Sequence, residues 1–256
     1  MRVKEYIRIP EVSSRVWKVW LRNKDVFMKT VKVNFIPPFL EPILYLFSIG
    51  FGLGLYVGEI EGVSYAMFIA PALIAASMMN SAFFECTFSS YVRMYFQKTF
   101  DAIVSTPLNI DEVIMGEILW GSTKSLINAT IILLVVSFFR LVKLPEALLI
   151  IPLSLLVGLA FSAIAMCFTA ISPSIDAFNY PTFLFITPMF LFSGTFFPLS
   201  SLPKPIQALS VAIFPLTHAV IVARGATTGS LGPHLAWSVA WLAIVGVILT
   251  ILSVNL

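Results

Sequence analysis

The sequence predicts an all-α integral membrane protein with six transmembrane helices. An amphipathic interface helix precedes them, a short cytoplasmic helix lies between the second and third, and an outer re-entrant hairpin precedes the last. Three observations predict this. Hydrophobic residues make up 59% of the 256 positions and charged residues only 11%, less than half the charge of an ordinary soluble domain. The apolar runs are continuous, which excludes the residue-by-residue alternation of a membrane β-barrel. Nine of the sixteen Lys and Arg fall in residues 1–33, so the net charge of +3 is a topological signal and no mark of nucleic-acid binding.

From Arg15 the N-terminal charges step by three and four, through Lys18, Arg22, Asp25, Lys29 and Lys32, with Val12, Val16, Val19, Trp20, Phe27 and Val31 opposite. This is helical amphipathicity. A basic face backed by Trp and Phe suits a helix at residues 1–33 lying among lipid headgroups; the plainer alternative is a solvated basic tail. The first span is expected at 36–57, with Pro37, Pro38 and Pro42 at its start, where missing backbone donors cost least. Nothing has the form of a cleavable signal peptide, because the first apolar run starts too far in and is too long. The second span, 65–90, carries Glu85. An ionised carboxylate there needs a partner or water. Arg93 is about 12 Å further along a regular helix, so a partner from another helix is expected.

The stretch Tyr91–Glu117 is a polar island. Residues 97–106 read as a short helix that Pro107 ends, because the residue before proline avoids the α region. Asn109 and Glu112 then have capping-box spacing and start a third span at 110–139. The fourth span is expected at 147–171 and the fifth, rich in Phe, at 178–197. Residues 203–226 hold two short apolar pieces separated by Pro215, which reads as a re-entrant hairpin, with one Pro-kinked span as the alternative. The last span is 235–254. The basic N-terminus places itself and the 97–106 helix in the cytoplasm.

Little chemistry is visible. Gly116-Glu-Ile-Leu-Trp-Gly121-Ser-Thr has the glycine spacing of a P-loop, but Ser122 stands where lysine is needed and no strand precedes it. No metal-ligand or nucleophile motif is present, so no metal and no catalytic residue is expected. Cys86 and Cys167 read as core packing, and His218 and His234 as satisfied border residues. Glu41, Glu85, Lys124 and Asp176 are the apolar-segment ionisable groups that could carry protons.

The segment MFIAPALIAASMM, Glu85, Arg93, the run DAIVSTPLNIDEVIMGE, the following LWGSTKS, and FLFSGTFFPLSSLP leading to FPLTHAV and Arg224 together resemble the permeases of ABC-2 class exporters. The similarity is greatest to nodulation-factor (lipooligosaccharide) exporter permeases and related polysaccharide and multidrug permeases, and it covers most of the chain. It implies a multi-pass subunit of a prokaryotic cytoplasmic membrane, paired with a second copy or a close homologue. ATP and Mg would lie on a separate ABC ATPase subunit, leaving this chain without a cofactor or an ATPase site of its own. Carried over by position, Gln97, Lys98, Thr99, Asp101, Ala102, Ser105, Thr106 and Pro107 would form the coupling helix and its stop. Family members commonly end in a short basic tail, whereas this sequence stops at Asn255-Leu256.

Glu85, Arg93 and Lys124 are candidates for an intramembrane polar network. Phe183, Phe190 and Phe196 could line a substrate path, since aromatic faces suit sugars and lipid chains alike, or could simply pack. The rival readings are an ion-coupled secondary transporter using Glu85 and Lys124, and an intramembrane transferase, for which no convergent acids are available.

Overall fold

The computed structural model describes residues 8–256, with backbone alone for residues 32–39, 41 and 42. Arg2, Lys4 and the side chains of Lys32, Pro37, Pro38, Glu41 and Pro42 lie outside the described residues. Among the described residues the regular structure is helical except for one small hairpin. Helix α1, Val16–Tyr45, passes through a π-helical stretch, Leu46–Leu53, into Gly54–Val57. The expected boundary between residues 33 and 36 is absent, because α1 runs through it. A proline removes one intrahelical bond and can kink a helix without ending it.

Strands β1, Glu59–Ile60, and β2, Val63–Ser64, pair antiparallel across Glu61 and Gly62, both at positive φ (52° and 77°). That is the twist a two-residue hairpin turn requires.

Helix α2 is Tyr65–Phe84, and it continues through π-helical Glu85–Ser89 and Val92–Phe96. Its 20 residues, mostly apolar, rise about 30 Å, the thickness of a hydrocarbon core, and the charged residues follow directly. Helix α3, Thr99–Val104, is shorter than the expected 97–106. Lys98 adopts a left-handed conformation (φ 53°) that breaks the helix before Thr99, so Gln97 and Lys98 lie outside it, as do Ser105 and Thr106 beyond its end. Helix α4, Ile110–Phe138, starts at the predicted capping box: the Asn109 side chain accepts from the Glu112 amide at 2.8 Å, and Glu112 accepts from the Asn109 amide at 3.0 Å.

Helix α5, Ile150–Ile171, follows a 3-10 turn, Glu146–Leu149. Helix α6 is broken into Asn179–Pro181, π-helical Thr182–Ile186 and Thr187–Phe192. Helices α7, Lys204–Ile213, and α8, Pro215–Thr228, meet at 92°. Helix α9 is Pro233–Asn255.

By length and composition four of these helical stretches can cross a membrane: Tyr65–Phe96, Ile110–Phe138, Glu146–Ile171 and Pro233–Asn255. The bent α7–α8 pair would be a fifth. The spans expected at 36–57 and 178–197 correspond to a shorter apolar helix, Ile43–Val57, and to the interrupted α6. Proline and π-helical interruptions divide α6, whereas Ile43–Val57 is the end of one continuous helical run that starts at Val16.

Helix α4 is the centre of the bundle. It packs most extensively on α5, then on α1 and α2. The α4–α5 seam is built from small residues. Ser122 Oγ donates to the Leu155 carbonyl at 2.8 Å and Ser125 Oγ to the Ser154 carbonyl at 3.0 Å. A methyl group on Gly158 would lie 2.7 Å from Ser122 Cα. Small residues at this spacing let helix backbones approach in membranes, where no hydrophobic force drives the pair together. Gly121 faces Ser162 and Cys86 in the same seam. The P-loop-like glycines are therefore packing residues in mid-helix: Gly116 accommodates Val19 of α1, and Gly121 accommodates α2 and α5.

At the opposite end from α3, His218 ties three helices together. It bonds the Val211 carbonyl on α7 at 2.9 Å and Ser238 on α9 at 3.2 Å, and it stacks on Trp241. Arg224 lies over the Phe68 ring and donates to the Gly194 carbonyl at 2.8 Å.

Gly158→Val should destabilise the purified protein by about 1–3 kcal/mol through overpacking. Gly50→Ala, whose added carbon meets nothing closer than 3.5 Å, should change stability by less than about 0.5 kcal/mol. Thermal unfolding in detergent reads both.

Candidate functional site

Glu85, Arg93, Glu117 and Lys124 converge where α2 leaves its regular helix. Arg93 Nη1 lies 2.9 Å from Glu85 Oε1, and Arg93 Nη2 pairs with Glu117 Oε2. Lys124 Nζ stands 3.5 Å from the second oxygen of Glu85. The two carboxylates are 8% and 1% exposed and the guanidinium 12%. Two acids and two bases make the cluster neutral, which is the condition for keeping charges out of water.

The direct Arg93–Glu85 pair corrects the expectation that the partner of Glu85 would come from another helix rather than be Arg93. Side chains of a helix lean toward its N-terminus, and arginine is long. Two π-helical stretches also replace the regular spacing from which about 12 Å follows. Lys124 on α4 then adds the expected cross-helix contact.

Neutral donors complete the cluster. Trp120 Nε1 donates to Glu85 Oε1 at 3.1 Å, Ser90 Oγ to Glu117 Oε2 at 2.7 Å, and Asn23 Nδ2 to Glu117 Oε1 at 2.9 Å. Asn23 lies on α1, whose Val16 and Val19 are also buried. The amphipathic helix thus packs one face on α4, with Trp20 and Phe27 edge-on to Trp120, while Trp17, Leu21 and Met28 stay exposed.

Arg22 extends the network to α3. It donates to Asn23 Oδ1 at 2.9 Å and to Thr99 Oγ1 at 3.3 Å. Burial, and secondly the neighbouring Arg93, hold its pKa below the usual arginine value, while Glu117 opposes them. A continuous chain of polar contacts therefore runs from Thr99 through Arg22, Asn23, Glu117, Arg93 and Glu85 to Lys124.

Helix α3 is anchored by buried Phe100, and Thr99 is half-buried. Gln97, Lys98, Asp101, Ala102, Ser105, Thr106 and Pro107 are exposed. The Lys98–Asp101 pair is 4.0 Å apart and solvated on both sides, so it contributes little to stability. Beyond α3 the chain is tied to the N-terminal segment. Arg15 donates to the Pro107 carbonyl, Ser13 to Glu112, Arg8 pairs with Asp111 at 2.6 Å, and Asn109 Nδ2 donates to the Glu11 carbonyl at 2.9 Å. Sequence reading missed Asn23, Ser90, Glu117 and Trp120 as network members. The signal available was a polar residue inside each otherwise apolar helical face.

Above the cluster opens a cavity of about 720 Å³ lined by α1, α2, α4 and α6, with Glu85 and Lys124 in its wall. Phe190 lines it and meets Phe196 at 5.1 Å. Phe183 is exposed, and neither it nor Phe196 is among the cavity's lining residues. Asp176 lies outside the cluster, in the 3-10 turn Ile175–Phe178 before α6.

A family model described as "ABC-2 type transporter" matches residues 14–227. Nodulation protein J of Bradyrhizobium diazoefficiens is 34% identical over 158 residues, 61% of this chain and 60% of the relative. Nodulation protein J of Sinorhizobium fredii is 34% identical over 160 residues, 62% and 61% of the two chains. Inner membrane transport permease YadH of Escherichia coli is 26% identical over 121 residues, 47% of each chain. The match thus spans about 60% of the length of the nodulation relatives. No solved structure matches the chain at a significant level.

Arg93→Gln leaves two buried carboxylates with one cation and should cost about 3–5 kcal/mol. Lys98→Gln, on the exposed side of α3, should stay within about 0.5 kcal/mol. Thermal unfolding of both variants in the same detergent checks this contrast.

Proposed function

This chain belongs to the ABC-2 type transporter family, and from that premise we propose that it is the membrane-spanning permease subunit of an ATP-driven exporter. Its substrate is lipid-linked or amphipathic, in the range of a lipooligosaccharide, a polysaccharide or a hydrophobic drug. ATP and Mg act on a separate ABC ATPase subunit, and two copies of this chain, or one copy and a close homologue, flank the path. The N-terminus and α3 face the cytoplasm, with α1 partly in the headgroup region and α7–α8 re-entering from the outer side.

The observation that carries this reading, beside the family, is the placement of α3. It is a one-helix projection with a solvated face, rooted by Phe100 and Thr99 and followed at once by the capped start of α4. A partner that pushes on it pushes α4 along its axis and pulls α1 through Arg22. Rigid elements with fixed ends transmit displacement, and a flexible loop would dissipate it.

The test is a permease–ATPase complex reconstituted in liposomes. Ala102→Pro breaks α3, and a paired Lys98→Gln, Asp101→Asn variant removes its exposed charges. Both should abolish substrate-stimulated ATP hydrolysis and export while the permease remains folded. Normal export by both would overturn the role given to α3. The ion-coupled alternative, using Glu85 and Lys124, predicts instead that transport survives without the ATPase and collapses with the ion gradient.

A further inference from the structure

The chain of polar contacts ends at Lys124, and its end is incomplete. Glu85 Oε1 already accepts from Arg93 and Trp120. Its other oxygen is 3.5 Å from Lys124 Nζ, longer than a normal hydrogen bond. Among the described residues, the other neighbour of Nζ is the face of Phe27, 4.7 Å from the ring centroid. An ammonium carries three donors, so Lys124 has donors to spare, and it lies in the wall of the 720 Å³ cavity.

Two further groups in that wall are free. Asn128 follows Lys124 by one turn on α4, and Asn80 is on α2. Neither side-chain amide has a hydrogen-bond partner among the described residues. The remainder of the wall is largely apolar, with Leu73, Met79, Ile131, Ile186 and Phe190. Lys124 with its partner Glu85 and two amides, set against aliphatic and aromatic walls, make a chamber suited to an amphiphile. Its volume falls in the range of ordinary ligand pockets.

We propose that this chamber binds an amphiphile with an acidic headgroup, a phosphate, sulfate or carboxylate, and that Lys124 is the residue that recognises the acid. Lys124 exchanges Glu85 for the headgroup oxygens. Asn80 and Asn128 hydrogen-bond the polar groups next to the acid, and the chain lies along Ile131, Ile186 and Phe190. Arg93 and Trp120 hold Glu85 in place when the lysine leaves it. The assignment rests on the permease reading and narrows its substrate class to anionic amphiphiles.

The experiment is equilibrium binding of radiolabelled dodecyl phosphate to the full chain in phosphatidylcholine nanodiscs, with empty nanodiscs subtracted and no ATPase present. Binding should saturate. Unlabelled dodecyl sulfate should displace the label, whereas dodecyl maltoside and inorganic phosphate at equal concentration should not. Lys124→Gln should weaken binding at least about tenfold, the size of one lost charge-assisted contact, and Lys124→Arg should retain it within about threefold. Glu85→Gln removes the competitor for Lys124 and should tighten binding; this variant and Lys124→Arg decide the matter if Lys124→Gln does not fold.

Equal displacement by dodecyl maltoside would overturn the proposal. So would displacement by inorganic phosphate alone, unchanged binding in Lys124→Gln, or weaker binding in folded Glu85→Gln. Failed binding alongside intact ATP-driven export would remove the headgroup assignment and leave the permease reading standing. Intact binding without ATP-dependent export would do the reverse.

Discussion

Arg93 lies between two buried carboxylates, and most of the structure is arranged around that fact. A guanidinium taken out of water is tolerable only when its charge is matched, and Arg93 meets that condition through its two Nη groups while its Nε has no partner among the described residues. Glu85 supplies one match from its own helix and Glu117 the other from α4. Each carboxylate then needs further donors, which Trp120, Ser90 and Asn23 provide. Satisfying one arginine thereby fixes the relative positions of α1, α2 and α4. The π-helical stretches of α2 belong to the same solution, since they occupy the segment that holds both Glu85 and Arg93.

This arrangement links the two ends of the proposed transport mechanism. On one side Arg22 joins the cluster to Thr99 at the root of α3. On the other, Lys124 joins it to the cavity. Low-dielectric surroundings strengthen each contact and penalise any half-made arrangement. The network therefore favours a few discrete geometries over gradual deformation, which suits a device that moves between states. The small-residue seam between α4 and α5 supplies a rigid backing for that movement.

Much of this was legible in the residues. Asn109 and Glu112 marked the start of α4 because a capping box is a local chemical signal, and Pro107 marked the break before it. Glu85, Arg93 and Lys124 stood out because charges in apolar helices are rare. Their actual pairing was hidden. Spacing arguments assume a regular helix, and α2 is not regular where the pair forms. Asn23 was masked by the basic residues around it, and its burial depends on α4 passing beside α1. Gly116 and Gly121 resembled a nucleotide loop, while their use is close packing. The clue to the seam was the four-residue spacing of Ser154, Gly158 and Ser162 opposite Gly121 and Ser125. Proline and π-helical interruptions divide α6 in a way that hydropathy does not register.

The central claim is that Arg93 and Glu117 act as one unit that holds α2 to α4. A double-mutant cycle with Arg93→Met, Glu117→Met and the combined variant, read as thermal stability in detergent, tests it most directly. The account predicts that the double variant is more stable than the sum of the single losses implies, with a coupling of about 1.5–3 kcal/mol. Losses that add to within about 0.5 kcal/mol would show two independent residues and contradict it.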